Sequence, residues 1–155
     1  LHNQIGLSTV ETGIIFTIML LPFVILELPL GEVADRTLGE KELLTTGLII
    51  AGLFTCLIPF IQTKSLLVWG LLFLLTRVGA SAIEIMKESY LFKKISERDL
   101  SLISLSRASL PAAYIVGPGL GTLILTFGSY THLFVGIGLL LIVATTLSLS
   151  IVDTK

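Results

Sequence analysis

Apolar positions along this chain come in long unbroken runs, not in the short alternations of a soluble fold. Five stretches are long enough to cross a hydrocarbon core, which is about 30 Å thick and takes about 20 residues of helix. They cover about residues 10–30, 43–62, 65–94, 101–127 and 131–152. The last two come from one segment, Ala108 to Val152, that holds no Asp, Glu, Lys or Arg. Gly128-Ser129-Tyr130-Thr131 marks the break between them. In lipid every backbone polar group needs an internal partner, so such runs form helices or a closed barrel. These are too long for barrel strands and do not alternate. The pattern predicts an all-α integral membrane protein, with five transmembrane helices in a single domain over residues 1–155.

The polar segments between the runs are short, so neighbouring helices are antiparallel. One side receives the loops at about 32–42 and 93–100 and the end Asp153-Thr154-Lys155; the other receives Leu1 to Ser8, Thr63-Lys64 and Gly128 to Thr131. The first side holds Arg36, Lys41, Lys93, Lys94, Arg98 and Lys155, and the second only Lys64. Basic loops stay on the cytoplasmic side of a cell membrane. That orientation predicts an outer amino end and a cytoplasmic carboxyl end.

Composition agrees. The chain is 54% hydrophobic and 14% charged, where a soluble domain carries about a quarter charged residues. Its principal partner is then the lipid bilayer. A net charge of −1 gives no footprint for nucleic acid. The single cysteine, Cys56, forms no internal disulfide, and His2 and His132 lie far apart, so no metal-ligand spacing exists. No cofactor is implied, and a membrane enzyme would need a cluster of metal-binding acids or a nucleophile with a base in a span, neither of which the sequence offers. Because the sequence opens at Leu1 without Met, it reads as part of a larger gene product, and no signal peptide is visible.

A charge at mid-bilayer costs about 2.5–3.5 kcal/mol, so it turns toward protein or water. Arg77, Ala80, Ser81, Glu84, Lys87 and Glu88 recur at helical spacings of three and four, which puts them on one face of the third span. Such a stripe either lines a cavity and its mouth or locks the helix to its neighbours by ion pairs. Glu27 lies in the first span between Pro22 and Pro29, whose missing N–H groups predict a kink. It is a candidate proton carrier, or the partner of an arginine. Arg107, a turn into the fourth span, is a candidate partner for the acids at the basic end.

Gly117-Pro118-Gly119-Leu120-Gly121 lacks the strand, Lys and spacing of a phosphate loop. Ser109, Ala113, Gly117 and Gly121 recur every four residues, a stripe that lets another helix approach closely, and Pro118 bends it. The stripe is therefore expected to serve packing or a hinge, as are Gly136 and Gly138. Trp69 is expected to be an interfacial anchor. After the first span, Gly31 is expected to allow close helix contact, Asp35 to cap a helix, and Gly39 to permit a tight turn.

The sequence Gly31-Glu32-Val33-Ala34-Asp35-Arg36-Thr37-Leu38-Gly39-Glu40-Lys41 resembles the signature loop of the major facilitator superfamily: a Gly, three residues, Asp-Arg, then a Gly followed by basic residues. It departs by one residue inserted before Gly39 and by Glu40 where a cation is usual. Arg77-Val78-Gly79-Ala80-Ser81 is similar to the family's arginine-bearing helix motif. Gly117-Pro118-Gly119-Leu120-Gly121-Thr122 is similar to the Gly-Pro-x-x-Gly element of its antiporters. The resemblance covers nearly the whole chain and implies part of a two-half helical bundle, with the degenerate motifs suiting helices eight to twelve. The partner it implies is the missing other half, around a small-molecule substrate that the residues do not identify. The function it implies is secondary active transport by alternating access, with proton coupling as an option. Asp35, Arg36, Glu84, Glu88 and Arg107 would then gate the inner mouth. A non-transporting scaffold on the same helices is the alternative.

Overall fold

The computed structural model describes residues 5–36, 38–94 and 100–151, without the side chains of Asp35, Leu100 and Leu102. Among the described residues the regular structure is helical: α1 (Thr9–Ile18), α2 (Leu21–Ile25), α3 (Glu27–Arg36), α4 (Glu40–Leu57), α5 (Leu66–Lys94), α6 (Leu100–Phe127) and α7 (Tyr130–Ser148), with a 3-10 turn at Ile58–Phe60. Five stretches are long and apolar enough to cross a membrane, with α1 to α3 counting as one.

That first span is broken for a local reason. An α-helical N–H bonds the carbonyl four residues back, so Pro22 leaves Ile18 without its partner and Pro29 does the same to Ile25. Helix α1 ends at Ile18 and α2 ends at Ile25. Its start is firmer. The Ser8 hydroxyl accepts the Glu11 N–H at 3.2 Å, and the Glu11 carboxylate accepts the Ser8 N–H at 2.7 Å, which satisfies two donors the helix leaves open. The starts of α4 and α7 use the same device in part. Glu42 accepts the Gly39 N–H at 3.1 Å and His132 Nδ1 accepts the Ser129 N–H at 3.2 Å.

Helix α4 is the hub, packed against α5 on one side and α7 on the other. Both contacts are made backbone to backbone at glycines. A Cβ added at Gly79 would lie 2.6 Å from the Gly47 carbonyl oxygen and 2.5 Å from the Ala51 nitrogen. One added at Gly138 would lie 2.6 Å from the Gly52 oxygen and would collide with Cys56 Sγ. In lipid no hydrophobic force pulls helices together, so close van der Waals approach of this kind holds them. Side-chain hydrogen bonds add to it. The Thr45 and Ser148 hydroxyls are 2.7 Å apart between α4 and α7, where Ser148 is buried.

Helix α6 stands apart. It meets the bundle mainly through its hairpin with α7, and its candidate packing residues Ala113, Gly117 and Pro118 are exposed. A Cβ at Gly117 would meet nothing within 4 Å, and one at Gly121 only Leu133, at 3.9 Å. The close approaches within this chain therefore fall on Gly47, Gly52, Gly79 and Gly138, not on the α6 stripe.

Two apolar clusters close the bundle. At the basic end Ala34, Leu43 and Met86 meet; at the opposite end Leu7, Ile15, Ile58, Trp69 and Leu72 meet. Trp69 corrects the sequence expectation. It is only 3% exposed, stacks on Phe73, and its indole N–H donates to the Thr63 carbonyl at 2.8 Å. With that donor satisfied inside the protein, the ring has no need of the headgroup region.

Candidate functional site

The candidate residues sit on helices that present them at the basic end. On α5, Gly79, Ala82 and Met86 are buried. At 100° per residue the opposite face carries Glu84, Lys87 and Glu88, and all three are exposed. Arg77, deeper in the span, is half-buried. Ser81 leaves the polar stripe: it is fully buried, and its hydroxyl donates to the Val78 carbonyl at 2.9 Å.

The tertiary structure brings Lys87 and Glu88 of α5 together with Arg107 of α6. They line a cleft of about 220 Å³ whose apolar walls include Leu91, Phe92, Ile103 and Leu110. Among the described residues none of these three charges has an ion-pair partner, although they border one space. A cleft with two cations and one carboxylate at its rim can hold water and exchange partners.

Other candidates lie elsewhere. Arg36 pairs with Glu32 at 3.3 Å on its own helix, with both side chains largely in the open. Glu84 is not part of the cleft lining. Glu27 opens α3, exposed and without an ion-pair partner among the described residues, so the expected pairing with an arginine is not seen there. The backbone of Asp35 belongs to α3, whereas its side chain lies outside the described residues, as do Arg98 and the terminal Asp153-Thr154-Lys155. Gly31 would admit a Cβ with nothing within 4 Å. Gly39 adopts φ −91° and ψ 169°, extended backbone open to any residue, so the turn there does not need glycine's freedom.

A buried ion pair went unread in the sequence. Glu40 is 1% exposed at the first position of α4, and its carboxylate pairs with Lys93 Nζ from the end of α5. The helix amino end favours a carboxylate, and the lysine supplies the counter-charge across the α4–α5 contact. A signal was present. Glu40 is the acid that departs from the basic pattern of the loop, and an acid in a basic place calls for a cation from another segment.

Among the described residues, five apolar spans of helix mark a multi-pass α-helical membrane protein. The sequence profile of the Major Facilitator Superfamily matches residues 1–154. The chain belongs to that superfamily and is a membrane-transport protein. Members of this family are generally not enzymes. No curated protein and no solved structure gives a significant match.

Proposed function

We propose that this chain forms part of a secondary active transporter that moves a small solute by alternating access, with its basic end in the cytoplasm of a cell whose plasma membrane it spans. The observation that carries the reading is the α5–α6 cleft. Its rim charges Lys87, Glu88 and Arg107 are unpaired among the described residues. Rocking of one bundle against another closes and opens such a mouth around a central site, and mobile charges that pair in one state and part in the other suit that task. Asp35, Arg36 and Glu84 belong to the same end and complete the proposed gate. Arg77 lines the path at greater depth. The loop's departures at the insertion and at Glu40 favour helices eight to twelve, so that the remaining helices supply the other half of the cavity. Glu27, unpaired between two prolines, is the proposed proton carrier.

The test is uptake by full-length protein reconstituted in liposomes, screened over small solutes with and without an imposed proton gradient. Asp35→Asn is expected to lose most uptake while inserting normally. Near-normal uptake by that variant would refute the gate. Glu27→Gln is expected to leave exchange intact but abolish its response to the gradient, and an unchanged response would remove Glu27 from the mechanism.

A further inference from the structure

The α5–α6 cleft sits at a definite depth. The span of α5 starts at Leu66 and that of α6 ends at Phe127, both at the end opposite the basic loops. Lys87 is 21 steps along from Leu66, and Arg107 is 20 steps back from Phe127. At 1.5 Å per residue each cation lies about 30 Å from the far end of its helix, which is the thickness of the hydrocarbon core. Both therefore stand where acyl chains give way to lipid headgroups. Two cations and one carboxylate, Glu88, leave the cleft with a net charge of +1.

From the cations toward the hydrocarbon, one face of α6 stays bare. Ile103, Arg107, Leu110, Tyr114 and Gly117 fall within a sector of about 80° at 100° per residue. Leu110 is 49% and Tyr114 72% exposed, and a Cβ on Gly117 would meet nothing within 4 Å. An apolar track thus leads out of the cleft into the membrane.

We propose that the cleft binds one anionic phospholipid of the leaflet at the basic end, with its phosphodiester between Lys87 and Arg107 and an acyl chain along Leu110, Tyr114 and Gly117. Ammonium and guanidinium groups donate charged hydrogen bonds to phosphate oxygens, and basic pockets between membrane helices take lipid headgroups on this principle. The track selects a lipid over a soluble anion, which would leave those side chains uncovered. Glu88 selects among lipids, because it repels the phosphate and makes the total headgroup charge decisive. Phosphatidylglycerol, singly negative, balances the cleft; zwitterionic phosphatidylcholine carries the same phosphate and does not. The inference shares its cleft with the transport reading but requires no transport, so a binding test and an uptake test fail separately.

The test titrates full-length protein in detergent micelles with phosphatidylglycerol or phosphatidylcholine and reads the first bound lipid by native mass spectrometry. Phosphatidylglycerol is expected to bind about fivefold more tightly or better, the worth of one matched charge at a membrane surface. Lys87→Gln and Arg107→Gln are each expected to weaken it by about the same factor. Glu88→Gln is expected to tighten it, a reversal of sign that damage to the fold does not produce. Lys94→Gln removes a cation of the same end that lies over Tyr90, outside the cleft lining, and is expected to change nothing. Millimolar inorganic phosphate is expected to leave the lipid in place. Equal affinity for the two lipids would overturn the site and give the cleft to water or to the other half of the protein. An equal loss with Lys94→Gln would reduce it to general surface charge, and displacement by inorganic phosphate would make it a site for soluble anions; either result overturns the proposal.

Discussion

Glu40 carries a buried carboxylate whose counter-charge comes from Lys93, 53 residues later. Removing the lysine takes one counter-charge away from that buried carboxylate, and the partly open Lys93 side chain moderates the loss. Lys93→Met is expected to destabilise the bundle by about 1–3 kcal/mol, between the exposed and the fully buried cases. The exchange Glu40→Lys with Lys93→Glu is expected to recover part of that, and unfolding in mixed micelles measures both. If Lys93→Met unfolds like the parent, the pair is a surface contact. Glycine sets the second case. At Gly79 the atoms that would meet a new Cβ are backbone atoms of Ala51 and Gly47, which yield only if α4 and α5 separate. Gly79→Ala is expected to cost about 1–3 kcal/mol, while Gly117→Ala, with open space around it, is expected to keep the parent's thermal stability. Equal melting of the two variants would contradict the packing. Residue by residue, the sequence placed Lys87, Glu88 and Arg107 at the basic end, because charges avoid hydrocarbon. It could not show that those three share a cleft, since that depends on how far α6 stands from α5.

At the scale of elements, two prolines decide the shape of the first span. Pro22 and Pro29 each cancel one backbone bond, and the breaks fall four residues earlier, at Ile18 and Ile25. Pro22→Ala with Pro29→Ala restores both N–H donors, so α1 to α3 should fuse. Spin labels at Val10 and Glu32 are then expected to approach the separation of a straight helix, about 33 Å for 22 steps of 1.5 Å. An unchanged distance distribution would place the kink in tertiary packing instead of the prolines. The kink was legible in advance because proline acts through covalent structure alone. Trp69 was not: an indole suits a membrane interface and a core equally well, and only the Thr63 carbonyl and the apolar cluster around it settle the choice.

For the whole molecule the distribution of basic residues predicts a single orientation. Impermeant labelling of intact cells should modify Lys64→Cys but not Lys41→Cys, and everted vesicles should reverse the pattern. The opposite result would invert every assignment of inside and outside made above. Bilayer thickness, the need of each backbone group for an internal bond, and the cost of buried charge act on the sequence directly. They determined the number of spans, their antiparallel order and the end at which the charges gather. Tertiary structure alone decided that α4 is the hub, that Gly47 meets Gly79 and Gly52 meets Gly138, that Glu40 reaches Lys93, and that Leu7 covers Trp69. The physical reason is common to all four. Lipid is as apolar as the side chains it surrounds, so hydrophobicity places a helix in the membrane but does not choose its neighbour. That choice falls to shape and to pairs of groups far apart in the chain.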